Sequence, residues 1–187
     1  MSNSINVRQL ALDAMLAAMC AVLGFLAIDL QGIKITFEGF PVLVGALLFG
    51  PGDGLVIGAV GTFIYQMVRY GFTATTLLWV LPYALSGLFV GLYAKHKKYN
   101  NTKRQIFWLA IINEMIITTI NTGSILADAK MYGWYYPGLI IKLLPFRLLI
   151  CIGKGVVYGL VLPALLVPLK KIVLTQNGMR KARSSKR

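Results

Sequence analysis

The sequence has 187 residues, of which 57% are hydrophobic and 13% are charged. Soluble domains carry about 25% charged residues, and apolar runs of the roughly 20 residues that cross a bilayer recur along most of this chain. We therefore predict an integral membrane protein with a single domain, 1–187, and exclude a soluble enzyme. The net charge of +13 would also suit a nucleic-acid-binding protein, but its distribution along the chain indicates membrane topology instead.

Six apolar segments predict an all-α fold of six transmembrane helices. The second segment, 41–50, is so short that it predicts a short or tilted helix. Before it, polar and aromatic residues alternate from Lys34 to Phe40, which predicts an ordered loop or a short extended segment. The predicted spans are roughly 10–28, 41–50, 55–68, 77–94, 106–126 and 139–169.

The positive charges predict the orientation, because short loops rich in Lys and Arg stay on the cytoplasmic side. Thirteen of the nineteen Lys and Arg residues lie at Arg8, in the loop "KHKKYNNTKR" and in the tail 170–187. The three loops expected outside hold only Lys34, Arg69 and Lys130. We therefore expect cytoplasmic N and C termini, a basic cytoplasmic tail at 170–187 and no nucleic-acid partner.

Small residues recur at four-residue spacing, which lets a second helix approach closely. The glycine pairs predict packing inside the bundle, whereas the alanine rows of the first span give a flat face that could serve a partner helix. The pairs are Ala14/Ala18, Ala17/Ala21, Gly54/Gly58, Gly87/Gly91 and Gly155/Gly159.

The sequence lacks the enzyme motifs that would indicate catalysis. It has no phosphate-binding loop, HExxH or GxSxG motif, and its six acidic residues include no pair within one span. Cys20 and Cys151 lie in apolar runs and are interpreted as small buried hydrophobic residues. We therefore expect no enzymatic activity, no cofactor and no metal site.

A binding site is better supported, because ionisable residues inside a membrane are functional candidates. Arg147 lies deep in the last span, whereas Lys142 is near its outer end and could instead extend to the membrane surface. For Lys154, two interpretations stay open: a salt bridge to Glu114 or a position facing a cavity. Near Arg147 and Lys142 we place Arg69, Asn121 and aromatic residues at the same outer face, Phe37, Tyr65, Trp79, Tyr83, Trp134 and Tyr135.

Aromatic rings, a few cations and an amide suit a ring-bearing, anionic small molecule. The competing interpretation is an ordinary interfacial belt of Trp and Tyr. We predict an outward-facing pocket for such a ligand.

The segment "GIKITFEGFPVLVGALLFGPGDGLVIGAVGTFIYQMV" resembles the loop, short second helix, Gly-Pro turn and third helix of the S components of energy-coupling factor (ECF) vitamin transporters. "FTATTLLWVLPYALSGLFVGLYAK" is similar to the fourth helix of that family. "ALDAMLAAMCAVLG" resembles its first helix, in which an AxxxA pattern docks on a transmembrane coupling subunit. Ala14 and Ala18 match that pattern, and Ala17 and Ala21 lie one step around the helix.

The resemblance implies a vitamin-binding membrane subunit that hydrolyses nothing itself. Such a subunit works with a coupling subunit and two cytoplasmic ATPases in the bacterial plasma membrane, and topples to release the vitamin. Asn121-Thr122 and residues 143–148 are similar to the folate-type branch, although "LLIC" replaces the Lys-Asn usual after them. Cobalamin, pantothenate, pyridoxine or a thiamine precursor stay open as substrates. The alternative function is a stand-alone channel or secondary transporter without ATPase partners.

Overall fold

The computed structural model describes residues 7–30 and 33–184, with side chains over 7–28 and 34–169. In these ranges the chain forms six helices and two short strands. They are α1 (Val7–Phe25), β1 (Ile28–Leu30), β2 (Ile33–Ile35), α2 (Gly39–Leu48), α3 (Pro51–Tyr70), α4 (Thr76–His96), α5 (Lys103–Met131) and α6 (Leu139–Ser184).

The helices fall on the six apolar segments, but only four of those described are long and apolar enough to cross a membrane: α1, α4, α5 and α6 up to Leu169. Helix α2 has 10 residues and is too short. Helix α3 has 20 residues, but its glycines and polar residues such as Gln66 and Arg69 lower its hydropathy. The prediction of six helices is therefore confirmed, and four of the described helices have the length and composition of a membrane span.

Among the described residues, the segment before α2 contains the one departure from an all-helical fold. Strands β1 and β2 pair antiparallel, with Ile28 opposite Ile35 and Leu30 opposite Ile33. The extended segment predicted in this region is thus confirmed, and it begins one residue before Lys34. The chain then turns at Glu38 into α2, so the sheet lies directly before the most buried helix.

Helix α2 forms the centre of the bundle. Its side chains are almost fully buried, among them Val42, Leu43, Ala46 and Leu47, and it contacts α1, α3, α4 and α6. A helix that is apolar on all sides is stable only where neighbours cover it completely. This position explains why its ten residues carry no polar face.

Helix α1 has one buried face and one exposed face. Ala17 and Ala21 are only 4% and 5% exposed, because Ala17 packs against Gly61 of α3. Ala14 and Ala18 lie on the outer side. The prediction that all four alanines form a docking face is therefore corrected: Ala17 and Ala21 are occupied inside the bundle, and Ala14 and Ala18 are the outward pair.

The glycine pairs make the internal contacts predicted for them. Helices α3 and α4 cross where Gly54 meets Gly87, and a Cβ atom on Gly54 would lie 2.6 Å from the Gly87 carbonyl oxygen. Gly155 and Gly159 of α6 pack in the same way on α5, against Ile111 and Phe107. These glycines allow backbone approaches that any side chain would prevent.

Three polar contacts fix the register of the antiparallel helices α4, α5 and α6. The Thr75 hydroxyl, just before α4, donates to Asp128 Oδ1 at 2.6 Å, and Ser124 Oγ donates to the Leu78 carbonyl at 2.8 Å. On the other side of α5, Lys154 Nζ lies 2.8 Å from Glu114 Oε2. The salt bridge considered for Lys154 is thus confirmed.

Helix α6 extends beyond the predicted span end at residue 169. Its backbone remains helical to Ser184, through most of the predicted basic tail 170–187. The side chains of that tail and its last three residues lie outside the described part of the chain.

Candidate functional site

A cavity of about 550 Å³ lies at the end of the bundle where α4 and α6 begin and α5 ends. Its wall comes from β2, α3, α4, α5 and α6. The three antiparallel helices contribute residues at steps of three or four, which lie on one face of each helix. Their shared register arranges these residues in three layers.

The deep layer is polar. Tyr83 of α4, Asn121 of α5 and Arg147 of α6 line it, and the register set by Ser124 and Glu114 brings these three positions to one level. Arg147 Nε and Asn121 Oδ1 are buried without a hydrogen-bond partner in the described part of the chain. Buried polar atoms are normally satisfied, so these two atoms are available to a ligand.

The middle layer is apolar. Trp79, Ile125 and Leu143 line the cavity one helical turn above the deep layer. These side chains form walls that suit a flat, apolar section of a ligand.

The rim is polar again. Thr75 and Asp128 form their hydrogen bond here, and the Lys34 ammonium donates to the Tyr70 hydroxyl at 2.5 Å. Lys34 is solvent-exposed. Of the two cations that line the cavity, Lys34 and Arg147, it lies nearer the entrance. Trp134 lies in the wall at the same end.

Glu38 adds a carboxyl group to the deep part of the wall. It stands immediately before α2 and is only 3% exposed. Burial raises the pKa of Glu38 to about 7, because the carboxylate loses its hydration; hydrogen bonds from the Thr36 and Tyr83 hydroxyls and the charge of Lys154 lower it by less.

Six of the predicted site residues line this cavity: Arg147, Asn121, Trp79, Tyr83, Tyr65 and Trp134. The structure does not bring the other four to its wall. Phe37 packs on the hydrophobic core, and Arg69 is exposed at the end of α3. The Lys142 ammonium lies 5.8 Å from the Tyr136 ring. The Tyr135 ring lies 5.7 Å from the Lys130 ammonium. Lys142 and Tyr135 therefore each contact another surface residue instead of the cavity.

Sequence reasoning missed the rest of the wall. For α5 the signal was present, because Asn121, Ile125, Asp128 and Tyr132 repeat at steps of four, three and four and so share a face. For the β2 side the signal was the alternation from Lys34 to Phe40, because Lys34, Thr36 and Glu38 stand at steps of two and so share one face of an extended segment. The missed residues are Lys34, Thr36, Glu38, Gln66, Tyr70, Thr73, Thr75, Ile125, Asp128, Tyr132, Leu139 and Leu143.

A second concavity, of about 330 Å³, lies at the opposite end of α4 and α5, beside Tyr93, Arg104 and Trp108. Trp108 is 53% exposed, and aromatic and basic residues are ordinary at a membrane surface. The larger cavity, with its buried unpartnered polar atoms, is the stronger candidate for a binding site.

Comparison with solved structures shows the same fold in three transport proteins. The crystal structure of FolT bound with folic acid has a TM-score of 0.65 at 20% identity, covering 83% of this chain and 92% of that one. The S component of a bacterial ECF transporter gives 0.62 at 19% identity, with 89% and 97% covered. The S component for biotin from an ECF-type ABC transporter gives 0.57 at 17%, with 86% and 94% covered.

No curated protein matches the sequence. The family model of the ECF transporter substrate-specific component matches residues 8–175, which is nearly the whole chain and includes every helix that forms the cavity. The chain therefore belongs to the family of substrate-specific components of ECF transporters.

Proposed function

We propose that this chain binds a vitamin in the 550 Å³ cavity for uptake into the cell, and that the vitamin is folate or a close relative. The observation that carries the proposal is Arg147, a half-buried guanidinium in the cavity wall whose Nε is buried and has no partner in the described chain. A cation of this kind is costly unless an acceptor from a ligand completes it. The folate-bound FolT structure, with the same fold, supports the choice of vitamin.

The dimensions of the cavity agree with a drug-sized, elongated ligand. Volumes of about 300–1,000 Å³ are typical of such sites, and the nine residues from Thr75 to Tyr83 span about 12 Å along the axis of α4. Folate combines a bicyclic heteroaromatic ring, a second ring and a carboxylate tail. Pantothenate has no ring to use the aromatic wall, pyridoxine and thiamine precursors have no carboxylate, and cobalamin is much larger than ligands of this class.

The proposal extends to the rest of the transporter. The outward-facing Ala14 and Ala18 provide the docking face for a transmembrane coupling subunit, and two cytoplasmic ATPases supply the energy. This chain then needs no enzymatic activity of its own. We further propose that the N and C termini lie in the cytoplasm of a bacterial cell, since short segments rich in Lys and Arg stay on that side, and that the cavity opens to the outside of the plasma membrane.

The first experiment purifies the chain in detergent and identifies the bound small molecule by mass spectrometry of the denatured sample. Isothermal titration with folate then compares the wild type with Arg147→Ala. We expect the variant to bind roughly 10- to 100-fold more weakly, since a hydrogen bond to a charged group contributes about 1.5–3 kcal/mol. Lys142→Ala is the matched control, because it removes a cation of α6 that lies outside the cavity.

Two results would contradict the proposal. Equal folate affinity in Arg147→Ala and the wild type would remove Arg147 from the site. Vitamin transport by the chain alone in proteoliposomes, without ATPase subunits, would favour the stand-alone channel or secondary transporter.

A further inference from the structure

We propose that Glu38 is a specificity-determining residue of the cavity, which accepts hydrogen bonds from adjacent N–H groups on the edge of a planar heteroaromatic ring. The 2-amino-4-oxo edge of a pterin is such a group. This inference rests on the proposed function and deepens it, since it names the part of the ligand that lies deepest in the cavity. The opposite end of the ligand, with its carboxylates, then lies towards Lys34 at the rim.

The first argument is that Glu38 does not cap helix α2, although it stands immediately before that helix. It precedes the first residue of α2, where the helix N-terminus stabilises a negatively charged side chain. Here the side chain makes no cap hydrogen bond. The carboxyl group is turned instead into the interior, where it lines the cavity.

The second argument is its burial without a full set of partners. Glu38 is 3% exposed, and its Oε1 has no hydrogen-bond partner in the described chain. On the α1 side it is closed in by Gly24, where a Cβ atom would come within 2.9 Å of Oε1 and 2.8 Å of the Tyr65 ring. A buried carboxyl with an unsatisfied oxygen costs free energy, and donors from a ligand would offset that cost.

The third argument is that Glu38 and Arg147 line the same cavity as Tyr83. The Tyr83 hydroxyl lies 3.0 Å from the Thr36 hydroxyl, which joins α4 to the segment that carries Glu38. Glu38 only accepts when ionised, whereas Arg147 only donates. A ligand edge that satisfies both groups must offer N–H donors beside an acceptor oxygen or nitrogen, and a simple carboxylate offers no such donors.

The test uses two small rings in place of a whole vitamin. Pterin has the 2-amino group, and lumazine has a carbonyl oxygen in its place and is otherwise matched in shape. Titration measures the affinity of each ring, and of folate, for the wild type, Glu38→Gln and Asp53→Asn. Asp53 is the control carboxylate, because it bonds Gln9 near the other end of the bundle and is remote from the cavity.

We expect the wild type to bind pterin roughly 10- to 100-fold more tightly than lumazine, whose carbonyl would face the carboxylate. Glu38→Gln should abolish or reverse this preference, because its amide can donate to the carbonyl of lumazine. Asp53→Asn should keep the wild-type ratio. Thermal unfolding of Glu38→Gln should be no less cooperative than that of the wild type, since the substitution removes a buried charge.

The outcomes separate this inference from the proposed function. If the wild type binds folate but Glu38→Gln retains the wild-type ratio of pterin to lumazine affinity, the role of Glu38 is overturned and folate binding stands. If the wild type binds neither folate nor pterin, the proposed vitamin is wrong and the inference fails with it. A preference for the p-aminobenzoylglutamate fragment that depends on Arg147 would overturn the ring-first orientation.

Discussion

The Lys154 ammonium lies 2.8 Å from the Glu114 carboxylate inside the bundle, with the two side chains 12% and 0% exposed. It is one of three cations in the apolar stretch from Lys142 to Gly155, and each has a different environment. Lys142 is exposed beside Tyr136, Arg147 lines the cavity and Lys154 is paired. One helix therefore carries an exposed cation, a cavity-lining cation and a paired cation.

Removal of the lysine alone should strongly destabilise the fold. Lys154→Met leaves the Glu114 charge buried without its partner, and breaking a buried pair in this way costs about 3–5 kcal/mol. We expect a large fall in the midpoint of thermal unfolding in detergent. The double variant Lys154→Met with Glu114→Gln should recover much of the loss, and Lys142→Met should change little. A Lys154→Met protein with wild-type stability would show that the pair contributes nothing to the fold.

Two glycines of similar sequence context should respond in opposite directions to alanine. Gly87 meets Gly54 at the crossing of α3 and α4, so Gly87→Ala forces the helices apart and should cost about 1–3 kcal/mol. Gly123 in α5 has no atom within 4 Å of its missing Cβ, so Gly123→Ala should gain about 0.5–1 kcal/mol of helix stability. Thermal unfolding of the two variants gives both values. Equal effects would contradict the close approach of α3 and α4.

The sequence predicts the helices well because each falls on an apolar segment, and the glycine pairs predict which faces meet. It does not predict the exclusion of Ala17 and Ala21 from the outer face of α1. The four alanines are equivalent in type and spacing, and only the position of Gly61 on another helix decides which pair is covered.

For the cavity, too, the sequence predicts the residues that a local pattern indicates and misses those whose position depends on distant residues. Arg147 and Asn121 were predictable as binding residues, since a cation or an amide inside a membrane span is costly and therefore indicates a function. Glu38 was not, because the alternation from Lys34 to Phe40 puts Lys34, Thr36 and Glu38 on one face of an extended segment but does not show which face is buried. Its burial depends on residues far away in the chain, such as Gly24 and Tyr65.

The outward alanines of α1 should matter for transport but not for binding. Ala14→Leu with Ala18→Leu adds bulk to an exposed face of small residues, where a partner helix would need to approach closely. Folate affinity of the isolated chain should stay unchanged, whereas ATP-driven uptake by the assembled transporter should be lost. Uptake into cells or proteoliposomes and titration of the purified chain measure the two properties.

Two controls define the face. Met15→Leu with Met19→Leu changes exposed residues of α1 with little change of size and should leave uptake intact. Ala17→Leu with Ala21→Leu should instead destabilise the fold, because both side chains are buried against the bundle. Normal uptake in the Ala14 and Ala18 double variant would exclude this surface as the docking site.

Ligand affinity should depend on pH through Glu38. Because burial raises the pKa of Glu38 to about 7, and because N–H donors bind its ionised form, the affinity should be complete above that pKa and fall as the pH drops through it. The loss between about pH 8 and about pH 6 should be roughly tenfold.

The titratable groups around Glu38 are Cys20, Tyr65, Tyr83, Tyr158 and Lys154 with its partner Glu114. Phenols, thiols and amines ordinarily titrate above this range, and Glu38→Gln, which cannot ionise, distinguishes Glu38 from Glu114. A wild-type affinity for pterin that is constant from pH 6 to 8, or an equal slope in Glu38→Gln, would show that the ligand does not bind the Glu38 carboxylate.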